Sequence, residues 1–222
     1  MFFKPFLASS LLLAYLLGIN LASVANPRFQ RFFYKPRIGM GIPQNSLGGT
    51  TRSAECKVNC VKVLVPTETI PLTTAERPSF FLFVPTMTEG KARFQLFDQQ
   101  SEKIYQTNFN LTATGGIIQF NLPAEAPALE VDKTYQWRMV ITDGGKRNEV
   151  IGFVRRVSLT EKPPSEPIKA AETYAQSGIW LDMFRSLADA KTPEAKSQIQ
   201  ELLKSIKFDA IATQPLLECC KP

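Results

Sequence analysis

Six acidic residues are the first candidates for acid–base chemistry in this chain: Glu76, Asp98, Glu130, Asp132, Asp143 and Asp182. A carboxylate-based glycosidase needs two such groups facing each other across a cleft at a defined separation. Nothing in the sequence places any two of them together, and most lie in apparent turns. Asp182 is the most unusual, because it follows Trp180 on an apolar helical stretch. We expect it to pair with a basic residue such as Arg77 or Arg185 in a structural role.

The chain contains no histidine. Ser-His-Asp and Cys-His nucleophilic sites are therefore excluded, as are zinc sites that need imidazole. Neither a G-x-x-x-x-G-K-[ST] phosphate loop nor a G-x-G-x-x-G dinucleotide turn is present. A Ser-Lys hydrolase or a carboxylate pair needs no histidine, but no local motif singles out such residues. We expect no catalytic residue, no cofactor and no bound metal ion.

Four cysteines form two close pairs, Cys56 with Cys60 and Cys219 with Cys220. An even number in an oxidising compartment suggests disulfides, for which four cysteines allow three connectivities. A bond between the two adjacent C-terminal cysteines closes a strained ring, so we favour pairing the first two cysteines with the last two. Closing such a loop is worth around 5 kcal/mol in the loop-entropy model. The alternative is a four-thiolate zinc site, for which these spacings are poor.

The N-terminus has the three parts of a secretory signal peptide. Lys4 is followed by an apolar stretch over residues 6–21 and then by small residues up to Ala25. This pattern predicts a cleavable signal at residues 1–25 and a periplasmic or extracellular protein. A retained membrane anchor is the alternative, but Gly18 and Asn20 interrupt the apolar stretch, and a span needs about 20 apolar residues. We expect no stable membrane span after cleavage.

Charge argues against one class of partner. Loss of Lys4 with the signal peptide lowers the formal net charge from +6 to +5. This mild excess favours anionic surfaces, but it is not the dense basic field of a nucleic-acid binder. We therefore expect no nucleic-acid partner.

Residues 26–55 read as an irregular lead-in to the folded region. Phe29, Phe32 and Tyr34 alternate with basic residues, and a turn-rich Gly/Pro stretch follows. Aromatic rings beside cations can lie at a membrane interface or stack on sugars or bases. The alternative, which we favour, is an arm that packs its rings on the main domain.

Residues 56–160 show the two-residue period of β-strands. About seven short strands are separated by Pro, Gly, Asp and Asn turns, including Asp143-Gly144-Gly145, which matches an immunoglobulin-like β-sandwich. One of these strands places Tyr135 and Trp137 on the same face. No segment of helical period interrupts the region, which argues against an α/β enzyme fold.

A proline-rich hinge at residues 161–167 precedes a helical region at 168–222. Apolar spacing predicts one helix from about residue 168 to 190, and Thr192-Pro193-Glu194 predicts the start of a second. Two antiparallel helices make a hairpin that cannot bury both of its faces alone. We expect the hairpin to dock on the sandwich, with docking on a partner as the alternative.

Three segments together resemble a known family: LTTAERPSFFLFVP at 72–85, KTYQW at 133–137 and GIWLD at 178–182. Their order and spacing are similar to an uncharacterised family of exported cyanobacterial proteins, a domain of unknown function. The resemblance runs over about residues 48–217. It implies an envelope or secreted protein without assigned catalytic residues.

These observations favour a non-catalytic binding or accessory module that acts through protein contacts in the cell envelope. The first alternative is a glycan-binding module that uses aromatic rings such as Trp137, Tyr135 and those in residues 29–34. The second is a carboxylate-based hydrolase. Trp180 and Asp182 are further candidates for a binding site.

Overall fold

The computed structural model describes residues 34–37, 60–88, 90–111, 114–217 and Cys220. The predicted signal peptide at 1–25, the candidate rings of Phe29 and Phe32, and Cys56 and Cys219 lie outside these residues. Among the described residues, no helix is long and apolar enough to cross a membrane.

The described residues form nine strands, numbered in chain order: β1 (Lys62–Val63), β2 (Leu72–Thr73), β3 (Ser79–Val84), β4 (Lys91–Phe97), β5 (Lys103–Asn110), β6 (Gly116–Asn121), β7 (Thr134–Asp143), β8 (Lys146–Arg156) and β9 (Leu216–Leu217). A four-stranded sheet has the order β1-β3-β6-β9, and a five-stranded sheet has the order β2-β8-β7-β4-β5. Pairing is antiparallel except between β2 and β8 and between β6 and β9. The mainly β class with C-terminal helices is confirmed, whereas the immunoglobulin-like arrangement stays a prediction.

Alternating residues of β3 and β4 build the core between the sheets. The Phe80 ring lies 5.3 Å from that of Phe94 and 4.9 Å from that of Trp137, centroid to centroid. Because side chains alternate across a strand, every second residue of these strands enters this core. The predicted turn at Asp143 joins β7 to β8 through Gly144 and Gly145, both with positive φ, as a two-residue hairpin requires.

Helices cover the opposite face of the four-stranded sheet. The Phe81 ring lies 4.4 Å from the Phe184 ring, and Trp180 Nε1 donates a hydrogen bond of 2.9 Å to the Leu64 carbonyl. All six residues of β3 are buried as a result. The order of layers is therefore helices, four-stranded sheet, five-stranded sheet, and the predicted docking of the helices on the sandwich is confirmed.

Three α-helices form this layer: α1 (Pro167–Gln176), α2 (Trp180–Ala190) and α3 (Pro193–Ser205). The prediction of a single helix over about 168–190 is wrong. The chain leaves the helix between α1 and α2, where Gly178 has φ +69, a conformation that glycine adopts without steric cost. The predicted start of the last helix is confirmed, since Thr192 accepts a capping hydrogen bond from the Ala195 N–H.

Candidate functional site

Asp182 lies in the first turn of α2 and binds the chain just after β2. Its carboxylate accepts hydrogen bonds from the Thr74 backbone N–H at 2.9 Å and from the Thr74 hydroxyl at 3.1 Å. Among the described residues, Asp182 forms no ion pair with Arg77 or Arg185, although the charge of Arg185 acts to lower the pKa of Asp182. Arg77 donates to the Ala126 carbonyl, and Arg185 forms its ion pair with Asp189.

The electrostatic state of Asp182 follows from this position. Burial raises the pKa of its carboxyl group above the ordinary value of 3.8, while hydrogen bonds from Thr73 and Thr74 act in the opposite direction. A carboxylate held by a backbone N–H and hydroxyl groups between two layers acts as a structural link. The GIWLD and LTTAERP segments, far apart in sequence, therefore meet at this link.

The other acidic candidates are dispersed. Glu76 pairs with Arg156, Glu130 with Lys133, and Asp132 with Arg155. Asp98 accepts hydrogen bonds from two backbone N–H groups of its own turn, and Asp143 accepts one from the Thr88 N–H. Within the described part of the chain, no group of three metal-ligating side chains comes together.

The two tryptophans lie in the core. Trp137 is 1% exposed and Trp180 is 0% exposed, and Tyr135 is 4% exposed. Gly152 on β8 lies directly beneath the Trp137 indole, where a Cβ atom would come within 2.4 Å of the ring. None of these three rings offers a free face to a sugar.

Tyr34 belongs to a short described segment, residues 34–37, that lies on the end of α1. Its ring packs edge-to-face on Trp180 at 4.9 Å, and its hydroxyl donates to the Gly178 carbonyl at 3.3 Å. Lys35 N–H and Arg37 Nε donate to the carbonyls of Ala175 and Ser177. Burial raises the pKa of Tyr34 to about 12. This contact agrees with an aromatic arm that packs on the main domain.

Cys60 and Cys220 are the two cysteines within the described residues, and neither is a free thiol. Cys60 comes just before β1, and Cys220 follows β9. These two strands form the opposite edges of the four-stranded sheet. The connectivity of the four cysteines stays a prediction.

The five-stranded sheet has one face that the helices do not cover, and we call it the outer face. It consists of the odd-numbered residues of β4 and β8 and the even-numbered residues of β5 and β7, which point away from the other sheet. Five of these positions are basic, Lys91, Arg93, Arg138, Arg147 and Arg155. The register shift in β5 adds Lys103, which pairs with Phe97 and donates to the Gln106 side chain. One position, Glu149, is acidic. The outer face is therefore strongly cationic although the whole chain is only mildly basic.

One half of this face, which we call the basic end, contains Lys91, Arg93, Asn108, Asn110, Thr142 and Arg147. These side chains line a shallow depression of about 520 Å³. In the strand register Lys91 lies between Asn110 and Thr142, and Thr142 lies opposite Arg147. Directly opposed residues have Cβ atoms about 5 Å apart, so the positive groups and the neutral donors share one patch.

The other half, which we call the apolar end, contains Phe97, Ile104, Ile151 and Phe153. In the register, Gln136 separates Phe97 from Phe153. Ile104 is 36% exposed, and the Arg138 guanidinium lies 5.5 Å from the centre of the Phe97 ring. Arg138 also pairs with Glu149 at 3.2 Å, between the two ends. The outer face thus combines charged and apolar surface.

Comparison with known proteins identifies the family of this chain. The family described as Domain of Unknown Function (DUF928) matches residues 47–216. The chain belongs to the DUF928 family. The matched range includes the outer face, Asp182 and the three segments that carried the resemblance in sequence. Cyanobacterial origin and export stay predictions.

Solved structures with a similar fold resemble the chain only weakly. A β-glucuronidase from Parabacteroides merdae has 9% identity and a TM-score of 0.27, and the match covers 65% of the DUF928 chain and 22% of that chain. A glycosyl hydrolase family 2 member from Bacteroides cellulosilyticus has 12% identity and a TM-score of 0.26. This match covers 74% of the DUF928 chain and 36% of the hydrolase chain. The DUF928 chain therefore spans well under two thirds of either length, and at these TM-scores the likeness carries no argument. Among curated proteins, none matches in sequence.

The outer face of the DUF928 fold was not predicted from the sequence. Its signal was present in β4, where exposed Lys91 and Arg93 and half-buried Gln95 alternate with buried Ala92, Phe94 and Leu96. Alternation shows that one side of a strand is exposed. It does not show which strands are neighbours, and so the basic positions of β4 and β8 could not be joined into one patch.

Proposed function

We propose that this DUF928 protein is a non-catalytic binding module of the cell envelope, which holds a partner protein against its outer face. The observation that carries the proposal is the outer face itself, a cationic and partly apolar sheet surface that the helices leave exposed. Side chains on paired strands have fixed spacing, and sites built on such elements are more precise than sites on loops.

The core behind this face supports a role as a platform. Trp137 packs between the sheets, while the Trp180–Leu64 hydrogen bond ties α2 to the four-stranded sheet. The Asp182–Thr74 hydrogen bonds tie α2 to the chain after β2, in the five-stranded sheet. A surface held from behind by such links loses little conformational freedom on binding, which lowers the cost of association.

The composition of the face favours a protein over a glycan. Arginine is enriched in protein interfaces, which combine an apolar core with a polar rim, and Arg93 and Phe97 provide both features on one strand. A sugar platform needs exposed aromatic rings, whereas Trp137, Trp180 and Tyr135 are buried. The two rings on the outer face, Phe97 and Phe153, are only partly exposed. The hydrolase alternative has less support, because the acidic candidates are dispersed and Asp182 serves as a link.

The cellular setting is part of the same proposal. We propose that residues 1–25 direct export and that disulfides join Cys56 and Cys60 to Cys219 and Cys220, on a core organised like an immunoglobulin-like sandwich. The absence of a free thiol at Cys60 and Cys220 is consistent with this. Peptide mapping of the non-reduced protein tests the disulfides, and peptides alkylated at these cysteines would contradict them.

Site-specific photo-crosslinking tests the proposed use of the outer face. A photoreactive amino acid at position 106, on the outer face, is compared with the same amino acid at position 196, which is exposed on α3. In envelope extract we expect a discrete protein adduct from position 106 that is missing from position 196. The same adducts from both positions would contradict the proposal. Turnover of an envelope substrate that is lost on replacing an acidic residue would also contradict it.

A further inference from the structure

We propose that the basic end of the outer face binds carboxylates, and that its ligand is an acidic, extended segment of the partner protein. This inference rests on the proposed use of the outer face and adds the chemistry of the partner.

The basic end has a local excess of positive charge. Elsewhere on the described surface, basic residues often have an acid three residues away, as in Lys133–Glu130, Lys169–Glu166 and Lys204–Glu201. At the basic end, none of the described residues that line the depression is acidic. Arg147 pairs with Glu149, which also binds Arg138. One carboxylate thus serves two guanidinium groups, while no described residue forms an ion pair with Lys91 or Arg93.

The orientation of the donors at the basic end also suits a carboxylate ligand. Arg93 donates from Nε to the Asn108 side-chain oxygen at 3.1 Å. This bond leaves the terminal nitrogens of the guanidinium, and the amide nitrogen of Asn108, available to an acceptor. Thr142 and Asn110 lie on either side of Lys91 and add neutral donors. A planar guanidinium beside amide and hydroxyl donors is suited to carboxylate oxygens, which it can bind in a bidentate manner.

The neighbouring apolar end indicates the source of the carboxylates. Phe97 lies four residues beyond Arg93 on β4, about 13 Å away at 3.3 Å per residue. A protein segment in extended conformation places an apolar side chain at that distance from an acidic one. The exposed part of Ile104 continues this apolar surface. An acidic polysaccharide supplies the charge and can lay a sugar ring on Phe97, but an apolar side chain of a protein segment also fills the surface around Ile104, and so we assign the site to a protein.

Fluorescence anisotropy with defined probes tests the assignment. The probes are a labelled decapeptide of Asp and Glu with a single Leu at its eighth position, the matching decapeptide of Asn and Gln with the same Leu, and an oligogalacturonate of similar charge. We expect the purified protein to bind the acidic peptide and not the amide peptide. The double variant Lys91→Gln/Arg93→Gln should weaken binding of the acidic peptide at least tenfold. The control Lys169→Gln/Lys196→Gln removes the same charge from the helical layer and should change the Kd less than twofold.

Three results would overturn the inference: no binding of the acidic peptide, an equal loss in both double variants, or tighter binding of the oligogalacturonate. The last result would assign the basic end to an anionic glycan. Crosslinking from position 106 in the Lys91→Gln/Arg93→Gln variant separates the two proposals. An adduct that persists there unchanged means that the outer face is used without its basic end, so that the further inference fails and the proposed function stands.

Discussion

The carboxylate of Asp182 accepts a hydrogen bond of 2.9 Å from the backbone nitrogen of Thr74, a residue 108 positions earlier in the chain. The contact joins the first turn of α2 to the residue that follows β2. It satisfies a main-chain donor at the end of a two-residue strand, where the sheet offers few partners. The helical layer is thereby tied to the five-stranded sheet as well as to the four-stranded sheet.

Replacing Asp182 with alanine should destabilise the fold. The Thr74 N–H loses its acceptor in a partly buried site, which costs about 1–3 kcal/mol. Urea denaturation followed by tryptophan fluorescence measures the free energy of unfolding. Asp189→Ala is the control, because Asp189 is on the same helix but forms an exposed pair with Arg185, and such pairs contribute about 0–1 kcal/mol. Equal losses in the two variants would argue against a link at Asp182.

The raised pKa of Asp182 predicts how stability depends on pH. Between the ordinary pKa of 3.8 and the higher pKa in the folded state, the folded protein binds more protons than the unfolded chain. The free energy of unfolding therefore falls as pH rises through this window. Asp182→Asn cannot titrate, so the stability of the wild type relative to this variant should be greatest below pH 3.8 and decline towards neutral pH. A difference that stays constant or grows with pH would contradict the shift.

Gly178 should tolerate alanine less well than another glycine of similar conformation. Both Gly178 and Gly144 have positive φ, which costs an alanine about 1–2 kcal/mol. At Gly178 a Cβ atom would also come within 2.6 Å of the Lys35 carbonyl oxygen, whereas at Gly144 nothing lies within 4 Å. We expect Gly178→Ala to lose at least about 1 kcal/mol more than Gly144→Ala in thermal or urea denaturation. Equal losses would show that residues 34–37 do not pack on α1 in solution.

Gly152 and Trp137 should be energetically coupled. A Cβ atom at Gly152 would come within 2.4 Å of the indole, and overpacking of this kind costs about 1–3 kcal/mol. Trp137→Phe makes room, so the double variant should lose less stability than the sum of the single variants. A double-mutant cycle should give a coupling of about 1 kcal/mol or more. Strict additivity would contradict the packing of the ring over Gly152.

The sequence could predict features that depend on neighbouring residues. The alternation in β4 and β7, the Gly144-Gly145 turn and the Thr192 cap are of this kind, since each is a short-range pattern with a local physical cause. The break at Gly178 was missed because the apolar spacing of a helix continues on both sides of it. The partner of Asp182 was missed because charge alone suggested arginine, while the actual donors are a backbone N–H and a hydroxyl group of Thr74, which carry no charge.

The reason why the outer face could not be predicted differs from the reasons at Gly178 and Asp182. The exposure of Lys91 and Arg93 depends on which sheet the helices cover, and this is decided by packing such as that of Phe184 on Phe81. No periodicity within β4 contains that information. Sequence therefore indicated an exposed side for each strand, and the structure was needed to bring these sides together.

The layer order also determines when the chain can finish folding. Phe81 lies against α2, and the Trp180–Leu64 hydrogen bond joins residues 116 positions apart. During synthesis, β3 therefore emerges long before the helix that covers one of its two apolar faces. A chain that is interrupted before Trp180 retains that face uncovered, and exposed strands of this kind favour aggregation. For this protein the C-terminal helices thus complete the core, and a chain without them leaves the apolar residues of β3 uncovered.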